Sequence, residues 1–294
     1  MKQKVDMRAA LTALVSWLLS LTLSLTVLLG VLVCTVNNPS FLKSQILESG
    51  YHRDVWDQLD QNYKSYGNAG GIPESVMGAI ITEDEVQQDL FSEVERFYRG
   101  ERTAQAHPEV AAAALAAIEE NLAERGIEMN DEIRAGIEDL ANGCQVDYEN
   151  YVRIPMAGML APYLLKLHTL SRMVLTALGF LALAALGVLF GLQRSGPARL
   201  RWTIYPFSAA AVFSFAVPAI AGLTLEVERL NLEPRILRHM LAVYVDGVLF
   251  SFVYFGLLCA VTAAVLLVAW LRGRRRYRAA LRRQAYRMQE EDEV

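Results

Sequence analysis

The chain has few cysteines and no motif for common enzyme chemistry. Of 294 residues only three are cysteine: Cys34, Cys144 and Cys259. They form no CxxC and no Cys/His zinc spacing, which excludes a disulfide scaffold and a zinc ribbon. Cys34 and Cys144 can pair only if Cys34 lies at the outer mouth of its apolar run. Two separate thiols are the simpler expectation. The four histidines, His52, His107, His168 and His239, are far apart, and none has a second histidine or cysteine at ligand spacing. They read as surface or interface residues, and no metal or cofactor is expected. Walker A, GxGxxG, HExxH and GxSxG are all missing, which removes the nucleotide, zinc-protease and hydrolase classes those motifs carry. Period-two alternation is nearly absent, so no sheet is expected. The expected fold class is all-α.

Apolar sequence is abundant. Hydrophobic residues make up 53% of the chain and mean hydropathy is +0.24. Four apolar runs are long enough to cross a bilayer, which takes about 20 residues: 9–36, 173–192, 202–225 and 247–271. The first exceeds the roughly 7–15 apolar residues of a cleaved signal peptide, so it reads as an anchor. Val33 before Cys34 argues against a lipoprotein cysteine. The spans as drawn hold no Asp, Glu, Lys, Arg or His, which counts against a proton- or ion-coupled carrier. Thr12, Ser16, Ser20 and Ser24 recur every fourth residue and form a small, slightly polar stripe on one helix face. Such a stripe packs helices in lipid, and hydroxyl back-bonding within the helix is the competing reading. Gly187 and Gly191 make a GxxxG, a helix-packing motif. Pro206 and Pro218 are expected to kink the third span.

The one long polar segment is 37–168. It carries 23 acidic and 10 basic residues. Pro39 ends the first span, and successive helices follow. His52–Tyr66 places Val55, Trp56, Leu59, Tyr63 and Tyr66 on one face, with Gly67–Gly71 as a break. Pro73 opens a short helix to Ile80. Thr82 and Glu85 match a capping box, and Val86, Leu90, Val94 and Phe97 share the face that follows, up to Gly100. Glu83-Asp84-Glu85 could act as acid and base or bind a cation, but capping already accounts for them. Pro108 opens an alanine-rich helix stopped by Gly126. Asn130 caps another, carrying Ile133, Ile137 and Leu140 to Gly143. From Tyr163, after Pro155 and Pro162, the chain runs unbroken into the second span. Lys166, His168 and Arg172 there snorkel to headgroups. Pro234 starts a helix that leads into the fourth span.

Basic residues concentrate in three places: 1–8, the loop 193–201 with Arg194, Arg199 and Arg201, and the tail 272–294. For four spans these share one side, and the positive-inside rule makes that side cytoplasmic. The segment 37–168 and the loop 226–246 are then extracytoplasmic. The expected location is the plasma membrane, multi-pass, with both termini inside. Arg272, Arg274, Arg275, Arg276, Arg278, Arg282 and Arg283 abut the last span. A basic cluster in that place reads as binding anionic inner-leaflet lipid rather than nucleic acid.

The order of parts, one span, a large outer domain and three more spans, resembles the permease subunits of the FtsX and MacB kind. Those families have a longer cytoplasmic N-terminus and strands in the outer domain, so no residue role is carried over. The resemblance implies a permease or mechanotransmission subunit working with a separate ATPase. The leading expectation is different. It is a membrane protein whose outer helical domain binds a protein partner or senses a ligand, without catalysis.

Overall fold

A computed structural model describes residues 2–154, 157–193, 196–224 and 235–292, with side chains described except at 2–6, 196–197, 235 and 276–292. Ten helices appear there: α1 Lys2–Cys34, α2 Pro39–Glu48, α3 Tyr51–Gly70, α4 Glu74–Met77, α5 Glu83–Tyr98, α6 Pro108–Glu124, α7 Asp131–Val152, α8 Ala157–Leu192, α9 Gly196–Thr224 and α10 Arg235–Asp292. No strand occurs among the described residues. By length and composition α1, α8, α9 and α10 can each cross a membrane. Pro155, Arg194, Leu225 and the stretch Glu226–Pro234 lie outside the described residues.

The chain divides into two compact units. The apolar unit takes residues 1–35, 170–226 and 246–294. Leu19, Ala182 and Leu189 pack with Trp202 at one point, and Val27, Val31, Ala210 and Phe252 at another. The hydroxyl stripe on α1 does both things expected of it. Thr12 donates back to the Arg8 carbonyl at 2.7 Å, while Ser16 donates across to the Trp202 carbonyl at 3.1 Å. Ser20 and Ser24 are half-buried. Gly256 gives close approach, since an added Cβ there would lie 3.0 Å from Ser214 Cβ. Gly187 and Gly191 are exposed, and an added Cβ would meet nothing within 4 Å. Among the described residues their small size holds no neighbour close.

The polar unit takes residues 36–169 and 227–245. Val55, Leu59 and Tyr63 of α3, Val86, Leu90 and Val94 of α5, Val110, Ala114 and Ile118 of α6, and Ile137, Ala141, Cys144, Tyr148 and Val152 of α7 form one core. Their spacings of three and four put each set on a single helix face. The capping box at α5 is complete: Glu85 N–H donates to Thr82 Oγ1, and Thr82 N–H donates to Glu85 Oε2 at 2.8 Å.

Several sequence boundaries need correction. Pro39 begins a helix as well as ending a span. Asn38 accepts the Ser40 amide as N-cap, and proline tolerates the first turn, where its missing N–H has no partner to lose. Helix α3 does not break at Gly67. It runs to Gly70 and ends on Gly71 at φ 70°. Gly67 serves packing instead, because an added Cβ would overlap the buried Met77 side chain. Helix α7 passes through Gly143 to Val152, since Cys144, Tyr148 and Val152 continue its buried face. Helix α8 begins at Ala157 and holds Pro162 inside it. Helix α9 begins at Gly196, well before the expected Trp202. The helix expected to start at Pro234 is present from Arg235 onward, and Ile236, Leu237 and Met240 pack on the polar unit's core. Tyr244 meets Phe41 edge to face at 5.5 Å.

Candidate functional site

The polar unit carries a cleft of about 330 Å³ between α5, α6 and α7. Ile80, Ile81 and Val110 supply apolar wall, and Glu85, Gln88, Asp89, Glu109 and Tyr148 supply polar groups. Its geometry starts in the loop between α5 and α6. Gly100 at φ 82° turns the chain out of α5, a conformation that suits a residue without Cβ. Arg96 then gathers that loop, bonding the Thr103 carbonyl at 2.9 Å and Gln105 at 3.3 Å, with Glu101 at 3.1 Å. The buried Glu93 accepts the Gln105 amide at 2.9 Å. Pro108 at the first turn of α6 leaves His107 as N-cap residue. The His107 amide is held by Glu149 Oε1 at 3.0 Å, and Gln145 holds the same oxygen at 2.7 Å.

So fixed, the His107 side chain is only 2% exposed. Its Nδ1 faces two carboxylates: Glu109 Oε1 at 2.8 Å and Asp89 Oδ2 at 3.4 Å. Tyr148 donates its hydroxyl to Asp89 Oδ2 at 2.7 Å, and its ring meets the His107 ring edge-on at 5.2 Å. Burial pushes the Tyr148 phenol up, and the bond to Asp89 adds to the rise, so Tyr148 stays a donor. Burial acts to raise Glu149, but bonds from Gln145 and the His107 amide outweigh it and hold its carboxyl below the usual range. Asp89, His107 and Glu109 are a set that can hold a metal ion. His107, expected at the surface or an interface, is buried, and the meeting of these three side chains is not visible in the sequence. The usable signal was His107-x-Glu109 flanking a proline-started helix. The third member, Asp89, is brought in only by folding.

Of the run Glu83-Asp84-Glu85, Glu85 is the member that lines this cleft. Glu85 closes the capping box, and Glu83 meets His52 at 3.3 Å and Arg53 at 3.2 Å. No acid–base pair forms among those three carboxylates. Arg272, Arg274 and Arg275 are exposed on α10, with Arg274 over the Trp270 ring at 5.3 Å. The backbone of Arg276, Arg278, Arg282 and Arg283 continues that helix. All three cysteines are thiols, so Cys34 and Cys144 are not bridged. No protein-family model, curated protein or solved structure matches the chain.

Proposed function

We propose that this chain is a multi-pass membrane protein whose polar helical unit, on the extracytoplasmic side, binds a protein partner or ligand without catalysis. The observation that carries this reading is the cleft beside Asp89, Glu109 and Tyr148. It is concave and part apolar, with a few convergent polar groups on a helical scaffold, the usual make-up of a binding site. The acidic excess of the surrounding segment supports a basic or cationic ligand group, since charge complementarity steers encounter. The arginine-rich end of α10 supports contact with anionic inner-leaflet lipid. Photo-crosslinkers placed at Gln88 and Ala113 in native membranes, read by mass spectrometry, test the reading. A discrete adduct lost on Glu85→Lys is the expected result. Adducts unchanged by that substitution would remove the cleft as the contact.

A second reading, a transmission subunit working with a separate ATPase, is supported by α8. This helix is unbroken from Ala157 to Leu192 despite Pro162. A flexible glycine-rich insert at Pro162 would abolish a relay and spare a tether. Full rescue of a deletion phenotype by the insert-bearing chain would rule the relay out.

A further inference from the structure

Three ligand-type atoms meet at the cleft: His107 Nδ1 and one carboxylate oxygen each from Asp89 and Glu109, all within 4.8 Å of one another. The two shorter separations, both from Nδ1, are 2.8 and 3.4 Å. A zinc-like ion holds nitrogen and oxygen at about 2.0–2.2 Å, so its ligand atoms sit roughly 3–3.5 Å apart in tetrahedral or octahedral order. The 3.4 Å spacing matches that shell, and the 2.8 Å one falls just short of it.

Charge balance points the same way. Ionised carboxylates only accept hydrogen bonds, and a neutral imidazole can offer one proton at Nδ1 to the two of them. The Tyr148 hydroxyl is already committed to Asp89. The ion-pair contacts of Asp89 and Glu109 go to His107, with no lysine or arginine among the described residues. A cation between the three would balance the two negative charges, which a neutral imidazole N–H can only hydrogen-bond. The support a ligand shell needs is also in place. Tyr148 orients Asp89, and Glu149 grips the His107 backbone. Metal sites depend on such outer contacts.

We infer that Asp89, His107 and Glu109 bind one divalent first-row transition-metal ion of the zinc class, with the remaining coordination positions open to the cleft. The imidazole selects this class over magnesium and calcium, which take oxygen ligands. On binding, the ion takes the place of any proton on Nδ1, which leaves to solvent. The ion ties α5 to the start of α6 and turns the acidic side of the cleft into a Lewis-acidic one. The site stands on its ligand geometry and holds its ion with or without a partner.

The test uses the full-length chain in detergent micelles, stripped with chelator and titrated with Zn2+ by calorimetry, with thermal unfolding alongside. One ion per chain and a rise in Tm are expected. Glu109→Gln and Asp89→Asn should each weaken binding by at least about tenfold, the scale seen for lesser changes around metal sites. The Glu109 side chain is 62% exposed, so Glu109→Gln should leave the Tm of the stripped protein unchanged. Absence of saturable binding overturns the inference. So does binding of equal strength in both variants, which places the ion elsewhere. The titration needs no partner, so it fails or succeeds separately from the crosslinking.

Discussion

Cys144 shows how far one buried side chain can depart from its solution behaviour. It is fully buried, and burial, with Asp147 nearby, pushes its thiol up to about 12. Against an ordinary thiol near 9, its thiolate fraction at neutral pH falls about a thousandfold, and only the thiolate attacks. A maleimide should therefore label Cys144 in denaturant and leave it intact in the folded protein over the same time. Rapid labelling of the native protein would show that the core around α7 opens. Tyr63, also fully buried, donates to the Cys144 carbonyl at 2.7 Å. Tyr63→Phe should cost about 1 kcal/mol, the net worth of one such bond. Burial raises Tyr51 and Tyr63 as it raises Cys144. Groups with raised folded values favour the fold while protonated. Their contribution is complete below the unfolded values, about 9 for cysteine and 10 for tyrosine, and is lost as pH climbs through them toward the folded ones. Thermal unfolding at rising pH should show Tm falling above roughly pH 9, with a shallower fall in Tyr63→Phe.

Two helix-level features have opposite signs of legibility. The capping box of α5 was readable from Thr82 and Glu85 alone, because it depends on residues three apart. Thr82→Ala should cost about 1 kcal/mol and speed amide exchange in the first turn of α5. The role of Gly67 is not legible in the sequence, because its reason is three-dimensional. In an exposed helix, glycine to alanine gains up to about 1 kcal/mol. Here the new methyl meets the fully buried Met77, and overpacking costs about 1–3 kcal/mol. The second effect wins, so Gly67→Ala should lower the urea midpoint rather than raise it. The same division runs through the chain. The apolar spans and the core faces of α3 and α5 follow from periodicity. The extension of α7 past Gly143, and the meeting of Asp89 with His107 and Glu109, depend on packing between distant segments.

For the whole molecule, sidedness is the first property to test. Cys144 is unsuitable as a probe, so Asn142→Cys, exposed on α7, and Met7→Cys near the start of α1 should be compared in a cysteine-free chain. An impermeant reagent on intact cells should label position 142 and leave position 7 unlabelled, following the arginine and lysine distribution. The reverse pattern would invert the topology. The polar unit also draws on a second part of the chain, and that has a measurable effect. Ile236, Leu237 and Met240 cover part of its core. A fragment of residues 37–168 should be helical by circular dichroism, and a peptide of residues 235–245 added in trans should raise its Tm, as any ligand of the folded form does. The divided origin of that core also sets a timetable during synthesis. Sixty-five residues lie between Thr169 and Arg235. At about 5–20 residues per second on the ribosome, the early segment waits roughly 3–13 s for the piece that completes it. Throughout that interval Phe41 and its neighbours lack their cover, so the nascent chain is most open to chaperones, proteases and mispairing between copies while the second and third apolar spans are being made.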